Sequence, residues 1–436
     1  MQFYSTKRES DLVDVDVAVF KGLPEDNGLF MPEVIPTLSA EFWNTCDTLS
    51  FGDIALEIAA PYFESHISKN DLKSIINEAI NFEVPLFELK DNLFCLELFH
   101  GPSMAFKDFG ARFMAGVMSY LLKQSNKKIH ILVATSGDTG GAVAQGFYNK
   151  TNIDVHILYP SGKVSDIQEK QLTTLGQNIF ALEINGTFDD CQKLVKTAFL
   201  DNELRAEFDL ASANSINISR LIPQAFYYAF TYAQLKKTGK KIIFSVPSGN
   251  FGNLSAGVLA YKMGMPVHQF IAATNINKVV PEYLRSRIYT PISPSKSTIS
   301  NAMDVGDPSN FPRLMELFEN DHDKLSEKVK GYFYSDEETK EAMREIHNKF
   351  NYVVCPHTAI AYLGLKQYVQ ESGEDDAIGV FLSTAHYAKF LPDVEQVLEQ
   401  KLAIPERLEN LLDLDKKAVM MDVDYDRFKQ HLIATF

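Results

Sequence analysis

The chain has 436 residues, of which 45% are hydrophobic and 23% are charged, and this composition excludes the disordered and low-complexity classes. Its length predicts two or three domains. The formal net charge of −15 argues against nucleic-acid and anionic-membrane partners, because both need clustered lysine and arginine. A small anionic ligand remains possible, since a few local cations and backbone N–H groups suffice to hold it.

The cysteines and the first residues bear on the compartment. The four cysteines stand far apart, at positions 46, 95, 191 and 355, so we expect neither a disulfide framework nor a zinc site, and no other metal. The start of the chain lacks the basic and apolar regions of a secretory signal, and no apolar run reaches membrane-spanning length. These features predict a cytoplasmic protein without a membrane partner.

Residues 1–85 are predicted to form an N-terminal extension domain of α/β type. Alternating apolar residues from Asp14 to Phe20 favour a strand, and a loop rich in Gly and Pro follows it. Apolar residues at helical spacing predict helices over 51–63 and 70–80.

From about residue 90 the pattern changes to strands alternating with helices. Apolar, β-branched runs predict strands at 93–99, 129–135, 154–160, 178–184, 240–248, 268–275 and 377–385, with helices at 109–124, 219–237 and 253–264. Such alternation predicts an α/β fold with mostly parallel sheets, and this many strands need two of them. We expect residues 86–390 to hold two α/β subdomains, the smaller at roughly 110–220, followed by a tail at 391–436. The Ser- and Pro-rich segment 285–312 is predicted to be a long loop, and we hypothesise that it closes over the site.

Two strand-ending loops carry glycines directly before a helix. They are Ser136-Gly137-Asp138-Thr139-Gly140-Gly141 and Ser248-Gly249-Asn250-Phe251-Gly252-Asn253. Glycines allow close backbone approach, and the helix N-terminus supplies unpaired N–H groups, so each loop suits a phosphate or carboxylate. Neither matches the Walker A or the dinucleotide fingerprint. A single loop of this kind is equally typical of a tight turn without a ligand, whereas two in one chain favour a ligand.

Lys107 stands just before a predicted helix and is flanked by Phe106 and Phe109. The helix dipole and aromatic neighbours both favour the neutral amine, which Schiff-base chemistry requires. An arbitrary lysine is nevertheless more often solvated, with its stem on an apolar patch.

A resemblance favours the functional interpretation. The string SMAFKD (103–108) resembles the cofactor-lysine motif of the threonine synthase family, SGDTGGAVAQGF (136–147) its next loop, and PSGNFGNLSAG (247–257) its phosphate-binding loop. The opening 30 or so residues resemble the N-terminal extension of the bacterial and fungal branch of that family, and 212–228 and 381–390 complete the match to the family. The resemblance covers nearly the whole chain except for about the last thirty residues.

The resemblance implies the fold of tryptophan synthase β-subunits, called fold type II of the pyridoxal phosphate enzymes. Lys107 would bind pyridoxal 5'-phosphate as a Schiff base, and Gly249, Asn250, Phe251, Gly252 and Asn253 would hold the cofactor's phosphate. Thr384 would hydrogen-bond the pyridine nitrogen and leave it largely unprotonated. By itself Thr384 would be interpreted as a buried strand residue bonded to backbone.

The resemblance further implies that Ser136, Gly137, Asp138 and Thr139 hold the substrate carboxylate. Many relatives carry Asn at the position of Asp138, whereas the bacterial and fungal branch carries Asp there. The substrate phosphate needs cations, for which Arg112, Lys163, Arg220 and Lys389 are candidates; we expect Lys163 and Arg220 to matter most. Each is equally compatible with a surface ion pair.

The implied reaction converts O-phospho-L-homoserine and water into L-threonine and phosphate, with the Lys107 amine carrying protons. Family members of this branch also imply a monomer. Two alternatives remain at this point: a phospholyase on the same scaffold that releases 2-oxobutyrate, and a catalytically silent small-molecule binder. The binder is disfavoured because both Lys107 and the phosphate loop are present.

Overall fold

The protein is described from a computed structural model that covers residues 1–123, 125 and 127–435. Its strands are β1 (Gln2–Ser5), β2 (Val13–Asp14), β3 (Phe30–Pro32), β4 (Leu86–Lys90), β5 (Leu93–Glu97), β6 (Ile129–Ala134), β7 (Ile153–Pro160), β8 (Ile179–Asn185), β9 (Asp209–Ser212), β10 (Ile242–Pro247), β11 (Gln269–Thr274), β12 (Val329–Phe333), β13 (Ile378–Ser383) and β14 (Ala418–Asp422).

The α-helices are α1 (Val15–Lys21), α2 (Ala40–Thr45), α3 (Phe51–Phe63), α4 (Lys69–Ala79), α5 (Lys107–Leu122), α6 (Asp138–Phe147), α7 (Asp166–Thr173), α8 (Phe188–Leu200), α9 (Asn202–Glu207), α10 (Ile218–Leu221), α11 (Gln224–Leu235), α12 (Gly252–Lys262), α13 (Val279–Ser286), α14 (Phe311–Leu317), α15 (His322–Lys328), α16 (Asp336–Phe350), α17 (Pro356–Ser372), α18 (Leu391–Leu398), α19 (Glu406–Leu412) and α20 (Tyr425–Thr435). Short 3-10 helices lie at Cys46–Thr48, Lys236–Thr238, Asn301–Met303 and Tyr387–Phe390.

The strand predicted over Asp14–Phe20 is wrong, because this segment forms helix α1 after the two-residue strand β2. Its buried residues are Val15, Ala18 and Val19, which are spaced for one helix face. The alternating valines satisfy a period of two as well, so the local pattern was ambiguous. Gly22, with φ at 66°, ends the helix in a conformation that glycine adopts without strain.

The large sheet contains β12, β11, β10, β13, β5 and β4 in that order. Its neighbours are parallel except for the β4–β5 pair. Since β10, β13 and β5 lie side by side, the segments that follow these three strands emerge at one edge of the sheet. Those segments contain the loop at 248–253, Thr384 and, after a longer connection, Lys107.

The small sheet is parallel throughout and contains β14, β8, β7, β6 and β9 in that order. The loop at 136–141 follows β6 and leads into α6. The C-terminal tail contributes β14 to the edge of this sheet and packs α20 against α8. The two open, mostly parallel sheets confirm the predicted fold class.

The strands predicted between 93–99 and 377–385 are all present, as β5, β6, β7, β8, β10, β11 and β13. The helix predicted at 109–124 is α5, which begins two residues earlier at Lys107; Gln124 lies outside the described residues. The predicted helix at 219–237 is divided, because α10 ends before Pro223, which caps α11. Among the described residues, no helix is both long and apolar enough to cross a membrane.

The N-terminal extension packs onto the rest of the chain. Its sheet is antiparallel, in the order β2-β1-β3. Its apolar residues belong to the same buried cluster as both larger sheets. Trp43 illustrates this packing, since its ring lies 5.8 Å from that of Tyr232 and its indole N–H donates to the Met263 carbonyl. Burial of this continuous apolar surface holds the extension in place.

Candidate active site

Lys107 lies at the first position of α5, at the junction of the two larger sheets. The preceding segment is fixed to the end of β13, because the Phe106 N–H donates to the Thr384 carbonyl at 2.8 Å and Ala105 bridges to Ala385. Only 18% of the Lys107 side chain is exposed. Lys107 and Thr384, both predicted as cofactor residues, are therefore held on adjacent segments.

The amine of Lys107 faces Asp138, and the distance from Nζ to Oδ2 is 3.7 Å. Burial lowers the pKa of the Lys107 amine, while the Asp138 carboxylate raises it. The positive charges of Lys389 and Arg220 lower the pKa of Lys107 further. These effects favour the neutral, nucleophilic amine that the sequence predicted at this position.

Asp138 is buried and remains ionised. Its Oδ1 lies 2.8 Å from the Lys389 ammonium and accepts a hydrogen bond of 2.9 Å from the Gln168 amide. Burial by itself would raise the pKa of Asp138, but the positive charge of Lys389 and the hydrogen bonds from Lys389 and Gln168 hold it below its ordinary value. The Asp138 carboxylate is thus occupied by protein partners, which leaves its backbone N–H, in the first turn of α6, for a ligand.

The remaining predicted carboxylate-binding residues lie around the same turn. Gly137 has φ at 137°, and a Cβ placed there would lie 2.6 Å from the Gln168 side chain, so only glycine fits. The Thr135 hydroxyl accepts from the N–H groups of Gly137 and Gly140 and shapes the loop. Ser136 and Thr139 are half-buried, and no hydrogen bond among the described residues uses their hydroxyls.

The loop at 248–253 leads directly into the N-terminus of helix α12, where an anion can bind. Phe251 is buried and has φ at 61°, which turns the chain sharply before Gly252 begins the helix. The Asn253 Oδ1 accepts hydrogen bonds of 2.7 Å from both the Tyr227 and the Tyr228 hydroxyls. Its amide nitrogen is buried and finds no hydrogen-bond partner among the described residues. A buried donor of this kind at a helix N-terminus fits a phosphate ligand.

Arg220 is buried at the end of α10 and packs against α5, where a Cβ on Gly110 would lie 2.8 Å from the Arg220 carbonyl oxygen. Its Nη1 donates to the Ala213 carbonyl at 2.5 Å. Within the described part of the chain its Nε has no hydrogen-bond partner, and no carboxylate pairs with it. Burial lowers the pKa of Arg220 to about 10, so the group stays charged near neutral pH.

The other candidate cations lie elsewhere. Lys163 is exposed on the turn after β7, near Asp190 of α8. Arg112 donates to the Glu78 carbonyl and the Asn81 side chain. Lys389 is buried against Asp138, as described above. Arg220 is the candidate cation whose charge acts on Lys107 and which has no acidic partner among the described residues.

Several residues were not predicted from the sequence. Gln168 reaches Asp138 from α7, and its capping box with Ser165 fixes the start of that helix. Arg313 is fully buried; it donates to the Phe30 and Ile216 carbonyls and to the Asn310 side chain. The Asn310 N–H in turn donates to the Asn250 carbonyl in the loop at 248–253. No local motif marks these residues, because their partners come from distant parts of the chain.

The chain also resembles known proteins. A family model described as pyridoxal-phosphate dependent enzyme matches residues 82–384, and models for the threonine synthase N terminus and C-terminal region match 2–80 and 358–432. Threonine synthase of Buchnera aphidicola subsp. Baizongia pistaciae is 43% identical over 435 residues, covering 99% of this chain and all of the relative. The chain belongs to the threonine synthase family.

Solved structures of the family agree with this membership. The crystal structure of threonine synthase from Escherichia coli superimposes with a TM-score of 0.92 at 40% identity and covers 100% of both chains. The pyridoxal-phosphate-bound threonine synthase from Brucella melitensis gives a TM-score of 0.92 at 32% identity, covering 99% of this chain and 98% of that one. This member of the threonine synthase family is therefore a pyridoxal-phosphate-dependent lyase of threonine biosynthesis with the fold of type II enzymes, as the resemblance implied.

The site fits the cofactor. Lys107 supplies a largely buried amine, the loop at 248–253 supplies a helix N-terminus with the unpartnered Asn253 amide, and the Thr384 hydroxyl takes part in no hydrogen bond among the described residues. An aldehyde requires such a nucleophilic amine, and a phosphate and a pyridine nitrogen require such hydrogen-bond donors. All three lie at the carboxyl ends of neighbouring strands of the large sheet or on the segments that follow them.

Proposed function

We propose that this chain converts O-phospho-L-homoserine and water into L-threonine and inorganic phosphate, the last step of threonine biosynthesis. The observation that carries the proposal is the buried Lys107 amine beside Asp138 and the unpaired cation Arg220. An amine for carbonyl chemistry and a cation for a phosphate ester are thus available in one site.

When bound, pyridoxal phosphate supplies an aldehyde that condenses with an amine and a ring that withdraws electrons from neighbouring carbon atoms. Lys107 would hold the aldehyde carbon, Thr384 would hydrogen-bond the pyridine nitrogen, and the loop from Gly249 to Asn253 would hold the phosphate. The N–H groups at the start of α12 and the Asn253 amide provide the donors for that phosphate.

The substrate carboxylate is bound by the turn from Ser136 to Thr139, through backbone N–H groups and the two hydroxyls. The Asp138 side chain does not bind the substrate carboxylate, because it is itself an anion; its Oδ1 accepts from Lys389 and Gln168, and its Oδ2 faces Lys107. Arg220 binds the substrate phosphate from within the protein, and Lys163 adds a positive charge from the surface.

Lys107 carries the protons of the reaction. Its neutral amine removes the Cα proton of the bound substrate, gives that proton up to the conjugated framework and so becomes neutral again, and then removes a Cβ proton, so that the C–O bond at Cγ breaks and inorganic phosphate leaves. Arg220 stabilises the charge on the departing phosphate. A proton added at Cγ forms the methyl group, the hydroxide of water adds at Cβ, and the Lys107 ammonium returns a proton to Cα, which completes threonine.

We further propose that the enzyme acts as a monomer in the cytoplasm. The support is the acidic composition, the separated cysteines and the resemblance of the N-terminal extension to the bacterial and fungal branch.

The test begins with the purified full-length chain, its visible spectrum and the products formed from O-phospho-L-homoserine. We expect a band at about 410 nm that disappears in Lys107→Ala, and threonine with an equal amount of phosphate. Lys401→Ala serves as the matched control, because Lys401 is a 91% exposed lysine far from the site. Phosphate accompanied by 2-oxobutyrate would make the enzyme a phospholyase, and a protein that neither binds the cofactor nor turns over would overturn the proposal.

A further inference from the structure

Two amines compete for one buried carboxylate in this site. The Lys389 Nζ lies 2.8 Å from the Asp138 Oδ1, whereas the Lys107 Nζ lies 3.7 Å from the Asp138 Oδ2. The shorter distance is that of a charge-assisted hydrogen bond, and the longer one is not. Asp138 is therefore paired with Lys389 rather than with Lys107.

The surroundings of Lys389 fix this choice. Its side chain is fully buried, and its ammonium also donates to the Ser103 carbonyl at 2.8 Å. The Ser165 hydroxyl, at the start of α7, donates to the Lys389 backbone carbonyl at 3.1 Å. A buried ammonium is strongly unfavourable without a counter-ion, so Lys389 needs Asp138 far more than the partly exposed Lys107 does.

We propose that Lys389 is a positioning residue that neutralises the charge of the Asp138 carboxylate and thereby allows the neighbouring Lys107 amine to stay unprotonated. The inference rests on the proposed role of Lys107 as the cofactor lysine. It explains how an acidic residue can lie next to that lysine without holding it as an ammonium ion, the form that cannot attack a carbonyl.

Other charged and titratable groups near Lys107 do not reverse the effect. Arg220, on α10, is positive and opposes protonation of Lys107. His357, on α17, is neutral near pH 7, because burial lowers its pKa to about 4. Asp138 is the carboxylate that acts on Lys107, so its pairing decides the state of the amine.

The titratable groups near Lys389 are consistent with its pairing to Asp138. Burial raises the pKa of Asp108 to about 6, and its Oδ2 accepts from the Ser103 N–H at 2.8 Å. Burial lowers the pKa of His386 to about 4. The close ionic partner of Lys389 in the described residues is therefore Asp138, at 2.8 Å.

The test measures protonation of Lys107 directly. The full-length chain, freed of pyridoxal phosphate, is labelled with acetic anhydride at a series of pH values, and acetylation of Lys107 and of exposed Lys401 is quantified by mass spectrometry. We expect Lys107 in the native sequence to reach half-maximal labelling at a lower pH than Lys401. In Lys389→Met and Lys389→Gln, Lys107 becomes the cation that pairs with Asp138. The half-labelling pH of Lys107 should therefore rise by about one unit or more.

The decisive variant removes both charges. In Asp138→Asn with Lys389→Met, no carboxylate remains to pair with Lys107, and its half-labelling pH should return to the native value or below. A role of Lys389 in folding alone would leave the labelling profile of Lys107 unchanged in folded protein. An unchanged profile in the two Lys389 variants, or a double variant shifted as far as Lys389→Met, would overturn the proposal.

Failure of the proposed function is detected separately. Borohydride reduction of the cofactor-loaded native chain should attach the cofactor to Lys107, as seen by peptide mass. Attachment at another lysine would contradict the role of Lys107 while the labelling profiles still report on the pairing of Lys389.

Discussion

Gly249 and Met303 approach each other so closely that a Cβ on Gly249 would lie 2.9 Å from the Met303 Cα, and equally close to the Ala302 carbonyl oxygen. The segment 285–312 therefore rests against the proposed phosphate loop through backbone atoms. Asn250 adds to this contact, since its carboxamide oxygen accepts from the Ser309 hydroxyl at 3.0 Å.

Gly249→Ala should weaken binding of pyridoxal phosphate about tenfold to a hundredfold, because displacing packed backbone costs about 1–3 kcal/mol. Affinity is measured by titrating the cofactor into the chain freed of it. Met303→Ala should not rescue the variant, since the clash involves the Met303 backbone and not its side chain. An affinity equal to that of the native chain would contradict the role of this contact.

Arg220→Met should raise the KM for O-phospho-L-homoserine about tenfold to a hundredfold, because a buried charge-assisted contact to the phosphate is lost. Lys163→Met should change KM by less than about fivefold, since an exposed charge is screened by water. Inhibition by inorganic phosphate should weaken in the same order, while the cofactor spectrum stays as in the native enzyme. Equal effects of the two substitutions on KM would show that burial does not decide how much each cation contributes to substrate binding.

Asp304→Ala should release the segment 285–312. The Asp304 carboxylate accepts from the Thr298 hydroxyl at 2.7 Å and from the Thr298 N–H at 3.0 Å, and its loss leaves that N–H without an acceptor among the described residues. We expect faster tryptic cleavage at Lys296 and, if the segment shields the site, more 2-oxobutyrate relative to threonine.

Asp307→Ala is the matched control for this experiment, because exposed Asp307 bonds only the Tyr289 hydroxyl among the described residues. Faster cleavage in Asp304→Ala without a change in products would mean that the segment supports the phosphate loop but does not control access of water.

Acid should destabilise the protein through a histidine cluster in the small sheet. His156 and His130 are buried on neighbouring strands, with ring centroids 6.4 Å apart, and His431 of α20 lies 6.2 Å from His156. Burial lowers the pKa of His130 to about 4 and that of His156 well below its ordinary value of 6.5. Between pH 6.5 and 4 the unfolded chain binds protons that the folded chain excludes, so the free energy of unfolding falls as pH falls.

His156→Phe should make this pH dependence shallower, because phenylalanine keeps the stacking on Phe180 and cannot be protonated. Urea unfolding at pH 7.5, 6 and 5 measures the slope, with His66→Gln in the N-terminal extension as the control. Parallel slopes for the native chain and His156→Phe would assign the acid sensitivity to other groups.

The sequence by itself determined the fold class and the family, and it predicted Lys107 as the cofactor lysine. Buried parallel strands are recognised in a sequence as continuous apolar runs, and the glycine loops at 136–141 and 248–253 follow such runs directly. These signals are local, so a single chain displays them. The segment Asp14–Phe20 was misinterpreted for the same reason, since its alternating valines fit a strand, but packing selected the face formed by Val15, Ala18 and Val19.

Only the tertiary structure decided which charges meet. The sequence does not distinguish Lys163 from Lys389, yet in the structure Lys163 is exposed and Lys389 is fully buried against Asp138. Arg313 carries no sequence signal, although it connects the N-terminal extension to the phosphate loop through Asn310. The energy of a charge depends on its burial and on its partner, and both come from segments far apart in the chain. For this reason motifs suffice to predict a candidate site, whereas the pairing of Lys389 with Asp138 could be found only in the folded chain.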